Sequence, residues 1–412
     1  MRCIELFAGA GGLALGIALA GFRSLAVVER DRWACDTIRE NQHRGYPLLS
    51  DWPLHEGDVR EFDWSSIPAG LDLLAGGPPC QPFSMGGKHR AFDDGRDMFP
   101  TTVEIVRHLR PRAFILENVK GLTRSTFANY YQYILLQLEF PEIARKTHED
   151  WFEHLLRLQK ERISGRLHGG GCLTYNVVPT LVNAADHGVP QKRERVFIVG
   201  FRSDCGVKWS FPQATHGRDA LLRDQWITGE YWDRHEIGCR SRPPIPERVR
   251  AHVLAIKEAI QEKKPVSDGL PWRTVRDALV GLPDPRAREA EDYPDHRFQS
   301  GARIYPGHTG SPLDQPAKTL KAGDHGVPGG ENMLVHESGE VRYFTIRESA
   351  RIQTFPDGYR FHGSWTETMR QLGNAVPVIL ARTVAASVAE KLIAAEMSNI
   401  VTPHSLRSRG AA

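Results

Sequence analysis

The sequence has 412 residues, 41% of them apolar and 25% charged, with a formal net charge of +3; this composition excludes extensive disorder and leaves a polyanionic partner open without requiring one. At roughly 150 residues per domain, the length implies two or three units, with two as the working division. The six cysteines show no CxxC pair and no Cys/His spacing suited to zinc or disulfides. No apolar run nears the roughly 20 residues of a membrane span, so no metal and no membrane partner are expected, and a reducing cytosol is the expected location.

The first apolar run, Cys3 to Phe7, leads into Phe7-Ala8-Gly9-Ala10-Gly11-Gly12-Leu13-Ala14. A glycine-rich turn between a strand and a helix lets the backbone approach an adenosyl cofactor. The next run, Leu25 to Val28, ends at Glu29, 20 residues after Gly9, where an acid can accept hydrogen bonds from ribose hydroxyls. Asp58, after a third expected strand, could face an adenine. Gly9, Gly11 and Ala14 also satisfy the dinucleotide pattern GxGxxG/A, so a nicotinamide or flavin cofactor stays open on these residues alone, as does a glycine turn with no ligand.

The run Leu71 to Leu74 opens directly into Gly76-Gly77-Pro78-Pro79-Cys80-Gln81-Pro82-Phe83-Ser84. Lone cysteines are mostly inert and buried. Cys80 differs because two prolines stiffen the backbone before it and it follows a strand end, where doubly wound sheets place their active sites. Ala113 to Leu116 ends in Glu117-Asn118-Val119, and a carboxylic acid beside a nucleophilic thiolate can protonate a ring nitrogen. Helix-favouring segments Tyr130 to Glu139 and Trp151 to Glu161 read as covering helices without chemistry. Asn176 to Leu181 and Arg195 to Phe201 complete the strands, the latter preceded by Gln191-Lys192-Arg193-Glu194-Arg195, whose arginines suit a phosphate or a pyrimidine carbonyl. This alternation reads as a doubly wound α/β sheet. From Phe211 to Glu340 the texture turns to Pro, Gly, Arg and His, as expected of a second, smaller, loop-rich unit. A helical pattern returns from Pro377 to Met397, before a polar tail.

Taken in order, the glycines, the acid, PPCQPFS, ENV and QxRxR, followed by Arg342 to Pro356 and Gly373-Asn374-Ala375-Val376-Pro377-Val378, resemble the cytosine-C5 DNA methyltransferases of the bacterial modification type over nearly the whole chain. The resemblance implies a Rossmann-like S-adenosylmethionine-dependent fold. Residues 1–210 with 361–400 would be the catalytic and cofactor domain, 211–360 the target-recognition domain and 401–412 a flexible tail. It implies that Cys80 attacks the base, that Glu117 bonds N3 and the exocyclic amine, that Arg195 bonds O2, and that Arg193 and Thr319 support the pocket or its phosphate. Phe7, Gly9, Gly11, Gly12, Glu29, Asp58, Val59, Pro78, Met98 and Asn374 would serve the cofactor, and Ser84, Lys88, Arg90 and Thr319 the DNA. One departure concerns Asp94-Gly95-Arg96-Asp97-Met98-Phe99, one residue shorter than the family's D-x-R-x-x-L-F. Double-stranded DNA is the expected partner of a monomeric, cytoplasmic, nucleoid-associated enzyme, with a restriction endonuclease as a functional companion. The rival readings are a tRNA cytosine-C5 methyltransferase on the same scaffold and a dinucleotide-dependent oxidoreductase.

Overall fold

A computed structural model describes residues 1–79, 97–164, 172–265, 269–306, 309–322 and 330–401. Its centre is a seven-stranded sheet in the order β3-β2-β1-β4-β5-β7-β6. Strands β1 (Arg2–Leu6), β2 (Arg23–Glu29), β3 (Leu54–Glu56), β4 (Leu73–Gly76) and β5 (Ala113–Val119) run parallel, whereas β7 (Glu194–Arg202) is antiparallel to both β5 and β6 (Tyr175–Asn183). Strand β5 is buried along Ala113 to Asn118, as befits a central strand covered on both faces.

Helices cover the two faces. On one, α3 (Phe99–Leu109), α4 (Ala128–Glu139) and α5 (Trp151–Ser164) join Ile4, Leu6, Phe114 and Leu116 in one apolar cluster. On the other, α1 (Gly12–Leu19) and α12 (Val378–Val401) pack Leu13, Ile17, Leu380, Val384 and Val388 against Leu73, Ile115 and Val199. Helix α2 (Arg32–His43) flanks the β2 side, and its Ile38 shares a third cluster with Ala8, Ala10, Phe355, Tyr359 and Leu372. Packing onto the cofactor half therefore begins near Ala350, about ten residues before the boundary expected at 361.

The recognition region is more helical than its composition suggests: α6 (Arg218–Arg223), a π-helical turn at Asp224–Thr228, α7 (Glu230–Arg234), α8 (Glu247–Gln261) and α9 (Val275–Leu279). Among the described residues three clusters hold it: Leu221 with Tyr231 and Trp232, Leu222 with Val253 and Ile256, and Val275 and Ala278 with Leu320, Leu334 and Phe344. Ser311–Pro312, Met333–Val335 and Val341–Tyr343 form a three-stranded sheet, after which α10 (Ile346–Ile352) and α11 (Trp365–Asn374) lead back to α12. Among the described residues no helix is long and apolar enough to cross a membrane.

Helices α1 and α12 approach so closely that a Cβ on Gly16 would stand 2.4 Å from Ala381 Cβ, 2.7 Å from the Arg382 nitrogen and 2.8 Å from the Val378 oxygen. Gly16→Ala gains about 1 kcal/mol of helix propensity but incurs overpacking of about 1–3 kcal/mol, at the upper end because two of the atoms met are backbone. A net loss of about 1–2 kcal/mol in denaturant unfolding is expected, and a stabilised variant would contradict this packing.

Candidate active site

The carboxyl ends of β1, β2 and β3 lie side by side and carry the expected cofactor residues. Phe7 leaves β1 in a left-handed conformation (φ 56°), followed by Gly9 (φ 55°) and Gly11 (φ 81°). The three glycines have different surroundings. A Cβ on Gly9 would meet nothing within 4 Å, one on Gly11 would meet Trp52 at 3.1 Å and Tyr359 Oη at 3.2 Å, and one on Gly12 would sit 2.5 Å from the Val376 oxygen. Gly9 thus opens onto free space, whereas Gly11 and Gly12 admit neighbouring protein. Glu29 receives the N–H groups of Gly9 (2.7 Å), Arg30 (2.8 Å) and Asp31 (2.7 Å). Its Oε2 accepts only the first of these, so a lone pair remains for a ligand hydroxyl. Burial raises the Glu29 pKa, and the three N–H donors oppose that shift.

Asp58, just beyond β3, is held at about 2 by Arg60, whose guanidinium bonds both carboxylate oxygens. Val59 and Met98 are buried in the core cluster with Leu6 and Val28. An open glycine backbone, flanked by acceptors at adjacent strand ends, fits an adenosyl cofactor.

Next to this half-site, β4 ends at Gly76 and β5 carries Glu117. A Cβ on Gly77 would lie 3.6 Å from Glu117 Oε2, which sets the carboxyl against the segment leading to residue 80. Asn118 fixes the same segment by donating to the Pro78 carbonyl (2.9 Å), and Met98 N–H donates to the Pro79 carbonyl (3.2 Å). Asn118 is a positioning residue absent from the expected set; it lay inside the quoted Glu-Asn-Val motif, but only the fold brings it to Pro78. Cys80, Ser84, Lys88 and Arg90, with the expected closing loop from Gln81 onward, lie outside the described residues.

In the antiparallel β5–β7 pair, Val119 opposes Arg195 and Glu117 opposes Phe197, so Arg195 is the diagonal neighbour of Glu117. Its Nε lies 3.0 Å from Glu117 Oε1, but off line, so that buried oxygen has no aligned donor among the described residues. Burial raises the Glu117 pKa above the carboxylate range, and Arg195, then Arg193, pull it back.

Arg193 is 0% exposed; its terminal nitrogens donate to the carbonyls of Leu320 (3.2 Å), Gly373 (2.7 Å) and Ala375 (2.9 Å), while its buried Nε has no partner among the described residues. Of the two roles the resemblance implies for it, these contacts are of the pocket-supporting kind, since all three are to backbone carbonyls. Thr319 is partly buried beside it, its hydroxyl donating to the Lys192 carbonyl at 2.7 Å. Asn374 is exposed at the end of α11, and the return to the cofactor half is made by its successors Ala375 and Val376 against Gly12. Tyr359, whose hydroxyl donates to the Ala10 carbonyl at 2.7 Å, also escaped the sequence reading, because nothing in its neighbourhood signals a partner so far upstream.

A family profile described as C-5 cytosine-specific DNA methylase matches residues 1–141 and 161–390. The type II methyltransferase M.PspPI of Psychrobacter sp. is 32% identical, the match covering 95% of this chain and 80% of the relative. M.Eco47II of Escherichia coli, another type II methyltransferase, is 31% identical over 94% of this chain and 79% of its own. The crystal structure of S. pombe Dnmt2 methyltransferase superimposes with a TM-score of 0.54 at 17% identity, over 95% of this chain and 99% of that one, which is a likeness of fold.

Arg195 is the main group opposing the effect of burial on Glu117. Arg195→Met should therefore move the Glu117 titration to higher pH, read from the carboxyl-carbon NMR shift of Glu117. A move to lower pH would show that the two side chains do not interact as placed.

Proposed function

This chain belongs to the C-5 cytosine-specific DNA methylases and is a DNA (cytosine-5-)-methyltransferase that uses S-adenosylmethionine, and on that premise we propose that Cys80 is its nucleophile and Glu117 its acid. The observation that carries this assignment is the buried Glu117 carboxyl, with one oxygen lacking an aligned donor, set against the Gly77–Pro78 segment that leads to Cys80. The family match does not favour the tRNA and oxidoreductase alternatives.

S-adenosylmethionine, which Gly9, Glu29 and Asp58 would hold with Phe7 at the adenine, would supply an electrophilic methyl group. Cytosine C5 is too weakly nucleophilic to take it unaided. Addition of the Cys80 thiolate to C6 makes the ring enamine-like, and the charge that develops is met by a proton from Glu117 at N3 and by Arg195 at O2. C5 would then take the methyl carbon as its bond to the sulfonium sulfur breaks and S-adenosylhomocysteine leaves; a base would remove the C5 proton, the C6–S bond would break to release the thiolate, and N3 would return its proton to Glu117. A stacked base offers no access to C6, so the cytosine leaves the duplex for this pocket. Pro78, fixed by Asn118, and Pro79 stiffen the approach to the thiolate, and Arg193 with Thr319 braces the floor. Residues 211–360 would read the DNA sequence, with Ser84, Lys88 and Arg90 on its backbone. The type II names of the relatives support a modification enzyme with a restriction endonuclease as functional companion; a monomer acting at the nucleoid is part of the same proposal.

Fluorine at C5 cannot leave as a cation, so a duplex with 5-fluorocytosine at the target should stall as a covalent adduct that survives denaturing electrophoresis only when S-adenosylmethionine is present. Cys80→Ser should abolish it, because a serine hydroxyl is barely ionised near neutral pH while a thiol of pKa about 8.5 is a few per cent thiolate. Glu117→Gln should slow adduct formation by about two to four orders of magnitude. Because Cys80 attacks only as thiolate and Glu117 donates only while protonated, the rate of adduct formation should pass through a maximum, falling at low pH as the thiolate is lost and at high pH as Glu117 ionises above its burial-raised pKa. An adduct formed by Cys80→Ser, or mapped to Cys172 or Cys205, would refute the assignment.

A further inference from the structure

Across the cofactor half, arginines are commonly matched to carboxylates, as Arg39 is to Glu56, Arg60 to Asp58 and Arg112 to Asp72. The junction between the catalytic sheet and the recognition region is different. Lys192, Arg218, Arg248 and Arg273 are all exposed there, and among the described residues none forms an ion pair.

The fold brings these four together. His216–Gly217 pairs in parallel with Leu270–Pro271, and Trp272 N–H donates to the Gly217 carbonyl at 3.1 Å, so Arg218 and Arg273 leave two adjacent strands in the same direction. Lys192, from the turn before β7, places its ammonium 5.2 Å from the centre of the Trp272 ring. Helix α6, which begins at Arg218, packs on α8 through Leu222, Val253 and Ile256, and Asp219 meets His252 at 2.7 Å. Arg248 sits one turn before His252 on the same side of α8. Arg218 and Arg248 also depress the Lys192 pKa, after burial, which is the signature of like charges within reach of one another.

The acids that could relieve this repulsion are engaged elsewhere. Asp186 accepts from Trp272 Nε1 (2.9 Å), Asp219 from His252 (2.7 Å), and Glu247 pairs with Arg250 (3.2 Å). Lys192, Arg218 and Arg248 lie within reach of one another, Arg273 follows Trp272, whose ring Lys192 faces, and with no ion-paired acid for any of the four among the described residues they call for an external counter-charge. Lys192 adjoins Arg193 and Thr319 at the pocket floor, so the cluster stands beside the path of the substrate.

We propose that Lys192, Arg218, Arg248 and Arg273 form a clamp for the sugar-phosphate backbone of duplex DNA beside the target cytosine, fixing position across the junction without reading sequence. The proposal rests on the DNA methyltransferase reading and adds to it the residues that hold the backbone. Phosphate contacts release condensed counterions, so each contact steepens the dependence of log affinity on log salt by about 0.9.

The test combines Arg218→Ala, Arg248→Ala and Arg273→Ala in the full chain, with a charge-keeping control carrying lysine at the same three positions. Binding of a labelled duplex, in a methylated and a scrambled sequence, is measured against salt. The alanine variant should flatten the salt slope by about 2–3, following the loss of three contacts at about 0.9 each. It should weaken both duplexes in parallel without lowering the melting temperature and without changing the modified sequence or the S-adenosylmethionine affinity. The lysine variant should keep most of the slope. An unchanged slope, or a loss confined to the methylated sequence, would overturn the clamp. Failure of the unaltered chain to methylate duplex DNA would instead overturn the reading beneath it.

Discussion

The position of the whole site depends on one buried guanidinium. Arg193 leaves the turn before β7 and donates to the carbonyls of Leu320, Gly373 and Ala375, which come from the recognition region, the last turn of α11 and the segment that follows it. Burying a charge is costly unless its hydrogen bonds are replaced, and here carbonyl dipoles supply the replacement. The same contact holds Leu320 near Gln191, whose side chain accepts the Leu320 N–H at 3.2 Å. It also sets Ala375 and Val376 against Gly12, so a tie made in the recognition floor is felt at the cofactor glycines.

Glycine has three separate uses within this arrangement. Gly9 keeps space open, Gly11 and Gly12 let side chains and backbone close in, and Gly373 lets residues 321 and 322 pass so near that a Cβ would stand 2.3 Å from the Ala322 nitrogen. A glycine-rich string alone cannot distinguish these uses, and that is why a dinucleotide turn stayed open on the sequence. The surroundings that separate them are supplied by Trp52, Tyr359 and Val376, the last two far away in sequence.

Local signals made the sheet legible. Strand β5 is a continuous apolar run, β1 ends at its glycines and β2 at its acid, so their order and their strand ends could be read directly. The reversal of β7 between β5 and β6 could not be read, because direction is set by connection and pairing rather than by the residues of a strand. The helices of the recognition region were hidden for another reason. Apart from α8 they span only five or six residues, fixed by aromatic contacts such as Tyr231 with Trp232 rather than by a long amphipathic stripe. Even α8, with Val249, Val253 and Ile256 on one face, is obscured by the arginines, glutamates and lysines around it. Among the expected site residues, Glu117 and Arg195 are brought together, while Arg193, Met98, Gly11 and Gly12 turn out to pack against protein.

The electrostatics of the pocket follow from that division. Two buried arginines face a single buried acid, and burial favours the neutral form of Glu117. With Glu117 protonated, the pocket holds two positive charges, and that of Arg193 is met by three carbonyls at its terminal nitrogens. Arg195 has the Glu194 carbonyl at 2.8 Å and an off-line carboxyl, so part of its hydrogen-bonding capacity remains for an acceptor entering from outside. Under the proposed roles, that acceptor is the cytosine carbonyl, and the charge developing on the ring would relieve an excess already present in the folded protein. Stabilisation of this kind requires no reorganisation at the moment of reaction, because the cost of holding the charges was met when Arg193 was buried.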